Sequence, residues 1–361
     1  MISENNNNRS LGKTIISLST LFFLLLFGIQ VLSEGGITPK IFENWRPFVY
    51  LYLVWCVLLS YSIVLINRDK GLRILFILPA FLFTIAMVIF PLCFGVYIAL
   101  HDWNLSSFDG KKFNGIDNVI ALFQDPFYWN AITNMIIYVA AILIEYAIAF
   151  GLALLLNVQI LARKFFRVAF LMPLMLSPVA VSWMIGKSML ENRFGPIARL
   201  SRELGWENPA FFSSAAIART TIMIMDAWMF IPLMMIMLLA GLQALPKDVS
   251  EASKVDGATP FQQFLHIIFP LMLPVSITAL LIRVIFKLKL ADIVINVTSG
   301  GPGVATDTVT SLIFREYRDR SNVGYGTMMA VMYLILIIFF MTNLLKAFTS
   351  FKKNTLSQEQ P

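Results

Sequence analysis

Apolar residues fall in long runs separated by short polar breaks. Eight runs cover residues 14–32, 47–67, 74–100, 130–156, 165–190, 217–242, 271–297 and 327–348. Each is long enough to cross a hydrocarbon core of about 30 Å at about 1.5 Å per residue. A helix satisfies its own backbone polar groups in lipid. The pattern therefore predicts an all-α polytopic membrane protein of about eight transmembrane helices.

Composition sharpens this picture. Of 361 residues, 58% are hydrophobic and 14% charged, where a soluble domain carries about 25% charged residues. The net charge of +7 is no nucleic-acid signal, because the lysines and arginines cluster beside the spans. Both cysteines, Cys56 and Cys93, lie inside apolar runs, and there are two histidines, His101 and His266. These numbers argue against a disulfide framework and against a Cys/His metal site. The first run follows Arg9 and Lys13 but lacks a small-residue cleavage site, so an uncleaved span is expected.

Short basic loops set the orientation. Arg68-Asp69-Lys70 with Arg73, Arg163-Lys164 with Arg167, and the tail lysines Lys346, Lys352 and Lys353 belong on the cytoplasmic side. Both termini and the loop 243–270 then lie inside. The external segments 101–129 and 191–216 are too short and polar for a separate large domain, and residues 5–8 and 357–361 read as disordered tails.

The loop after the sixth run is the most structured polar stretch. Leu245-Pro246 closes the span, and Asp248 or Ser250 can cap a helix through Val255. Its small apolar face carries Val249 and Ala252, with Glu251 and Lys254 pointing elsewhere. Gly257 suits the left-handed bend after a helix end. Thr259 and Pro260 then start a second helix with Phe261, Phe264, Leu265 and Ile268 along one stripe, and Pro270 and Pro274 mark re-entry into the membrane. Two readings stay open: a capped interfacial hairpin joining two spans, or a docking surface for a partner.

The residues Glu251, Ala252, Ser253, Asp256, Gly257, Ala258, Phe264, Ile267, Pro270 and Pro274 follow the order E-A-A-x-x-D-G-A, then F-x-x-I-x-x-P-x-x-x-P, with Ser253 for the second alanine. This stretch resembles the cytoplasmic loop of permease subunits of binding-protein-dependent ABC importers. The resemblance implies a type I importer permease fold: a six-helix core, here with two extra N-terminal helices. It implies that the loop is a coupling helix seated in a cleft of the ATPase, with Glu251 as docking carboxylate and Gly257 as bend. The expected layout is a tail and two extra helices over 1–73, a permease core over 74–348 with its coupling loop at 243–270, and a cytoplasmic tail over 349–361.

A second run, Thr298-Ser299-Gly300-Gly301-Pro302-Gly303 with Ala305-Thr306, reads by itself only as a tight outer turn. Its spacing is similar to the T-x-G-G-P-G-x-x-T run of carbohydrate-type permeases of the maltose-permease kind. That resemblance implies solute contacts on the seventh span, at Arg283, Phe286, Lys287 and Leu290, whose i, i+3, i+4, i+7 spacing places them on one helix face. Cations inside a span cost about 2.5–3.5 kcal/mol each on the insertion scale. Arg283, Lys287 and Lys289 are therefore expected either to pair with Asp226, Glu145 or Asp292 or to form a basic lining. On the sixth span, Asp226 and Trp228 are further path candidates, the indole as a stacking platform. Pro173, Pro178 and Pro232 are expected to break helical bonding.

Gly12-Lys13-Thr14 and Gly186-Lys187-Ser188 mimic the end of a phosphate loop, but Asn7 and Val181 stand where its first glycine belongs. The chain is thus expected to carry no cofactor and to be no enzyme. ATP would be bound by partner subunits. The resemblance implies a dimer of ABC ATPase subunits, a second permease subunit and an external substrate-binding protein, in a bacterial inner membrane with lipid around it. The solute would be a sugar or sugar-like molecule, or, given the cations, an anionic one such as an acidic sugar or alditol phosphate. A secondary transporter without ATPase is the alternative of another class; it would call for internal inverted repeats, and none is visible.

Overall fold

The apolar runs are helices in the computed structural model, which describes residues 2–34, 39, 42, 44–108, 110–158 and 161–357. Among the described residues, seven helices are long and apolar enough to span a membrane, and a bent pair brings the number to eight if it counts as one span. The bent pair is the predicted fifth run. Its halves, Arg163–Met175 and Pro178–Met189, meet at 96°. Pro178 removes a backbone donor there and Ser177 caps the second half by accepting from the Ala180 N–H at 3.1 Å.

The chain divides into two compact units, Met1–Phe94 and Gly95–Pro361. In the first, α1 (Ile2–Glu34) packs on α2 (Arg46–Thr84), which runs through a π-helical turn, Ile85–Ile89, into α3 (Phe90–Ala99). α1 begins at Ile2, so the asparagine run 5–8 is helical rather than disordered; residues 358–361 lie outside the described residues. The expected break between the second and third runs is a tight reversal within α2. Tyr52 Oη donates to the Leu82 carbonyl at 2.5 Å across it. Gly71 is packed so closely that a Cβ there would lie 2.5 Å from the Ile63 carbonyl oxygen. Trp55 Nε1 donates to Thr20 Oγ1 at 3.0 Å, tying α2 to α1.

In the second unit, β1 (His101–Asp102) pairs antiparallel with β2 (Lys112–Phe113) ahead of α4 (Asp117–Gln124). The fourth run is two helices meeting at Ala141, α5 (Pro126–Ala140) and α6 (Ile142–Asn157). Then come α7 (Arg163–Leu171), α8 (Pro178–Val181), α9 (Pro196–Glu203) and the long α10 (Ala215–Ala244). α10 holds together through Pro232, contrary to the expected break. The polar loop forms α11 (Lys247–Val255) and α12 (Pro260–Gln263), followed by α13 (Phe269–Leu288), α14 (Asp292–Val297), α15 (Val309–Arg318) and α16 (Val323–Ser357).

Lipid supplies no hydrophobic drive between helices, so close packing must hold them. α6, α10 and α13 meet through Ala149, Ala153 and Ala279, all at most 1% exposed, with Met234, Leu238 and Met272 filling the space between. A second cluster, which includes Tyr138, Ile222, Ile293 and Met329, packs the other half of the unit.

Candidate functional site

The polar loop is a fixed bend between two helices. α11 starts after Pro246 without a side-chain cap, so neither Asp248 nor Ser250 plays the expected part. Its end follows expectation: Gly257 sits at φ +79°, and the Gly257 and Ala258 N–H groups donate to the Lys254 and Ser253 carbonyls at 3.1 and 3.0 Å. Thr259 caps α12 in a reciprocal box with Gln262, whose Oε1 accepts from the Thr259 N–H at 2.9 Å. Ser253, the departure from the alanine pattern, is buried and accepts from Gln263 Nε2 at 2.8 Å. That bond braces the first helix against the second. Nothing in the sequence marked Gln263, because its partner lies ten residues back across the bend.

Glu251, Ala252, Asp256 and Gly257 are exposed, and Ala258 is half-buried. Phe264 is the anchor. Its ring meets Phe150 of α6 edge-on at 5.5 Å and lies 6.1 Å from Phe269. Pro270 lies in the first turn of α13 and Pro274 inside it, with no break in the helical path before them. Helical backbone runs on from Pro260 to Leu288, with a π segment at Phe264–Ile268 ahead of Pro270. A π turn re-spaces the bonding where proline has no N–H to give. Beside the loop, Arg163 Nε donates to the Leu156 carbonyl at 2.6 Å and closes the end of α6.

Within the membrane-spanning helices lies an ionic tetrad. Arg283 Nε meets Glu145 Oε2 at 2.6 Å and Lys287 Nζ meets Glu145 Oε1 at 2.8 Å. Both cations also contact Asp226 Oδ2. Arg283 and Lys287 are 0% exposed, Glu145 3% and Asp226 1%. Two cations face two carboxylates on three helices, which offsets the cost of burying any one of them. The Arg283 guanidinium lies 4.7 Å from the Phe230 ring centre, and Phe230 stacks on Phe286. Pairing, not lining, thus accounts for Arg283 and Lys287.

A cavity of about 550 Å³ adjoins the tetrad, bordered by Asp226, Phe230, Phe286, Lys289, Leu290 and Asp292 among others. The predicted single face is therefore split. Phe286 and Leu290 border the cavity, while Arg283 and Lys287 are wholly buried. Leu290 lies past the end of α13 at Leu288, so helical spacing no longer governs it. Lys289 was expected either to pair or to line; neither it nor Asp292 forms an ion pair among the described residues, and both border the cavity. Lys289 follows the last residue of α13, and Asp292 is the first residue of α14. Trp228 borders two other cavities, of about 660 and 490 Å³. Two residues on a helix are about 200° apart, so Asp226 and Trp228 cannot serve one surface.

The glycine-rich turn is stitched to α5. Asn130 Nδ2 donates to the Val304 carbonyl at 2.6 Å, Asn134 Nδ2 to the Asp307 carbonyl at 2.9 Å, and Tyr138 Oη to the Thr306 carbonyl at 3.1 Å. Asp307 is buried and pairs with Arg315. Burial pushes its carboxyl above the usual carboxylate range, against the pull of Arg315. Glu316, paired with Arg320, is raised for the same reason.

Residues 68–350 match the family described as binding-protein-dependent transport system inner membrane component. The chain belongs to this family: it is an ABC importer permease subunit, a multi-pass inner membrane protein and not itself an enzyme. It is 31% identical over 265 residues to the sulfoquinovosyl glycerol transport system permease protein SmoG of Agrobacterium fabrum, covering 73% of this chain and 85% of that one. It is 30% identical over 274 residues to the trehalose/maltose transport system permease protein MalF of Thermococcus litoralis, covering 76% and 92%. A bacterial ABC transporter involved in the import of the acidic polysaccharide alginate has a chain of the same fold, with TM-score 0.68 at 20% identity, covering 79% of this chain and 97% of that one. That transporter has also been solved in complex with an alginate pentasaccharide-bound periplasmic protein.

Proposed function

We propose that this subunit forms one wall of the path for a sugar or sugar-like solute. An external binding protein delivers the solute, and separate ATPase subunits drive transport through the 251–274 loop. A second permease subunit completes the path, and both termini lie in the cytoplasm. Residues 1–73 act as an appended helical unit and 349–361 as a tail to a transport core over 74–348. The observation that carries the coupling role is the loop's construction. A left-handed glycine, a capping box and the Ser253–Gln263 bond hold an exposed surface bearing Glu251, Ala252 and Asp256. A polar hairpin needing only to join two spans would not require that rigidity. The solute class is supported by the relatives named for sulfoquinovosyl glycerol and trehalose/maltose transport.

A second reading, an anionic sugar, is favoured by Lys289, an exposed cation on the cavity wall without an ion-pair partner among the described residues. In either case the loop test is the same. Proline cannot adopt φ +79° and has no N–H for the Lys254 carbonyl. Gly257→Pro should leave the protein in the membrane while transport falls at least about tenfold, on the order of 1.4 kcal/mol or more of lost coupling. Normal ATPase co-purification and normal transport in that variant would refute the coupling role. A thermal-shift screen of neutral and acidic sugars on the cognate binding protein decides between the two solutes.

A further inference from the structure

We infer that Glu145, Asp226, Arg283 and Lys287 form a clasp that makes the two helices leaving the 251–274 loop move as one body, so that displacement of the loop becomes displacement of the cavity wall. The inference rests on the coupling role proposed for that loop.

Three observations support it. The first is continuity. α10 ends at Ala244, where the loop begins, and the helical path from Pro260 to Leu288 leaves the loop at its other end. Both rods that flank the loop therefore carry tetrad members: Asp226 on one, Arg283 and Lys287 on the other. At about 1.5 Å per residue, Asp226 lies about 27 Å along its rod from Ala244, and Arg283 about 35 Å along the other from Pro260. The second is the kind of contact. Between the loop and the tetrad the rods touch through methionines, leucines and alanines. Such apolar contacts are non-directional and name no charge partner, so they specify axial register less sharply than ion pairs do. At the loop end, Phe150 and Phe264 hold the loop to α6, and further along Tyr146 Oη donates to Ser276 Oγ at 2.7 Å. Ion pairs in a low dielectric fix axial register, because sliding by one turn would leave four charges unpaired.

The third is position. Asp226 belongs to the tetrad and borders the cavity, as do Phe230 under the Arg283 guanidinium and Phe286 stacked on Phe230. A shift of the clasp must move that wall. Stability alone does not account for four buried charges, since apolar replacements of a buried ion cluster are often neutral or stabilising. Register does. The tetrad residues are thus positioning residues for transport, acting through the helices rather than on the solute.

The test uses the purified transporter with its ATPase, reconstituted in lipid, with Cys56 and Cys93 replaced by alanine. A single cysteine is placed either at position 254 on the loop or at 289 on the cavity wall, both exposed. Labelling by a water-soluble maleimide is compared in the nucleotide-free and ATP–vanadate-trapped states. With the tetrad intact, and in Lys287→Arg, trapping should change the rate at both positions at least fivefold. In the charge-balanced double variant Asp226→Leu/Lys287→Met, which keeps Arg283 paired with Glu145 but leaves no ion pair between the two rods, the change at 254 should persist and that at 289 should fall below twofold. If the double variant does not insert, the set Glu145→Leu/Asp226→Leu/Arg283→Met/Lys287→Met, which leaves no buried charge, is read in the same way. A full change at 289 in these variants overturns the clasp alone. Loss at 254 and 289 together also overturns it, because the tetrad would then be supporting the loop's seat. No change at 254 in the intact protein overturns the docking reading, and the clasp with it.

Discussion

The tetrad and the 251–274 loop handle charge in opposite ways. In the tetrad, four ionised groups sit among apolar helices with almost no exposure, and each carboxylate meets both cations. In the loop, Glu251, Lys254 and Asp256 stand in the open, while the groups that hold the shape are neutral: a glycine, a threonine, a serine and two glutamines. Charge that faces water costs little to display and is free to meet a partner. Charge that faces lipid is tolerated only when neutralised on the spot. The first arrangement fixes the helices to one another; the second leaves a surface to recognise something else.

This contrast is broken most readily by unbalancing the tetrad. Glu145→Gln leaves two cations facing one carboxylate at full burial. It should cost about 3–5 kcal/mol, seen as a large drop in detergent-resistant folded protein, and adding Lys287→Met should recover much of that loss. If the single variant is as stable as the parent, the burial argument is wrong. Arg315→Met should be milder. It strips Asp307 of its cation outside the spans and should cost about 1–3 kcal/mol at neutral pH. Because burial raises the Asp307 carboxyl, the folded state holds its proton to higher pH than the unfolded chain. The deficit should therefore shrink as pH falls toward the usual carboxylate value and grow as pH rises through the raised one. Thermal midpoints at pH 4.5 and 7.5 read the difference directly. Ser253→Ala should be the smallest. It restores the alanine of the family pattern and removes one bond to Gln263, about 0.5–1.5 kcal/mol, with co-purification of the ATPase unchanged. Loss of the ATPase in Ser253→Ala would show that the hydroxyl contributes to recognition and not only to the brace.

Much was legible in advance, for local reasons. Gly257, Thr259 and Pro260 specify a bend and a cap through their own backbone preferences, and both are present. The long apolar runs specify helices because lipid leaves no other way to satisfy a backbone. The reversal at residues 68–73 was expected, but that helical backbone carries through it, the persistence of α10 through Pro232 and the fusion of α12 with α13 were not legible. Each depends on whether a neighbouring helix or a π turn absorbs the disturbance, and that neighbour is remote in sequence.

The tetrad marks the boundary most clearly. That Arg283 and Lys287 needed either partners or a polar cavity followed from their presence in an apolar run, since an ion in lipid must be compensated wherever the run lies. Which of the two obtained depended on α6, α10 and α13 bringing Glu145 and Asp226 within hydrogen-bond reach, across 57 to 142 residues of chain. Spacing along one helix decides which side chains share a face. Only the packing of that face against others decides whether it meets a carboxylate or an open cavity.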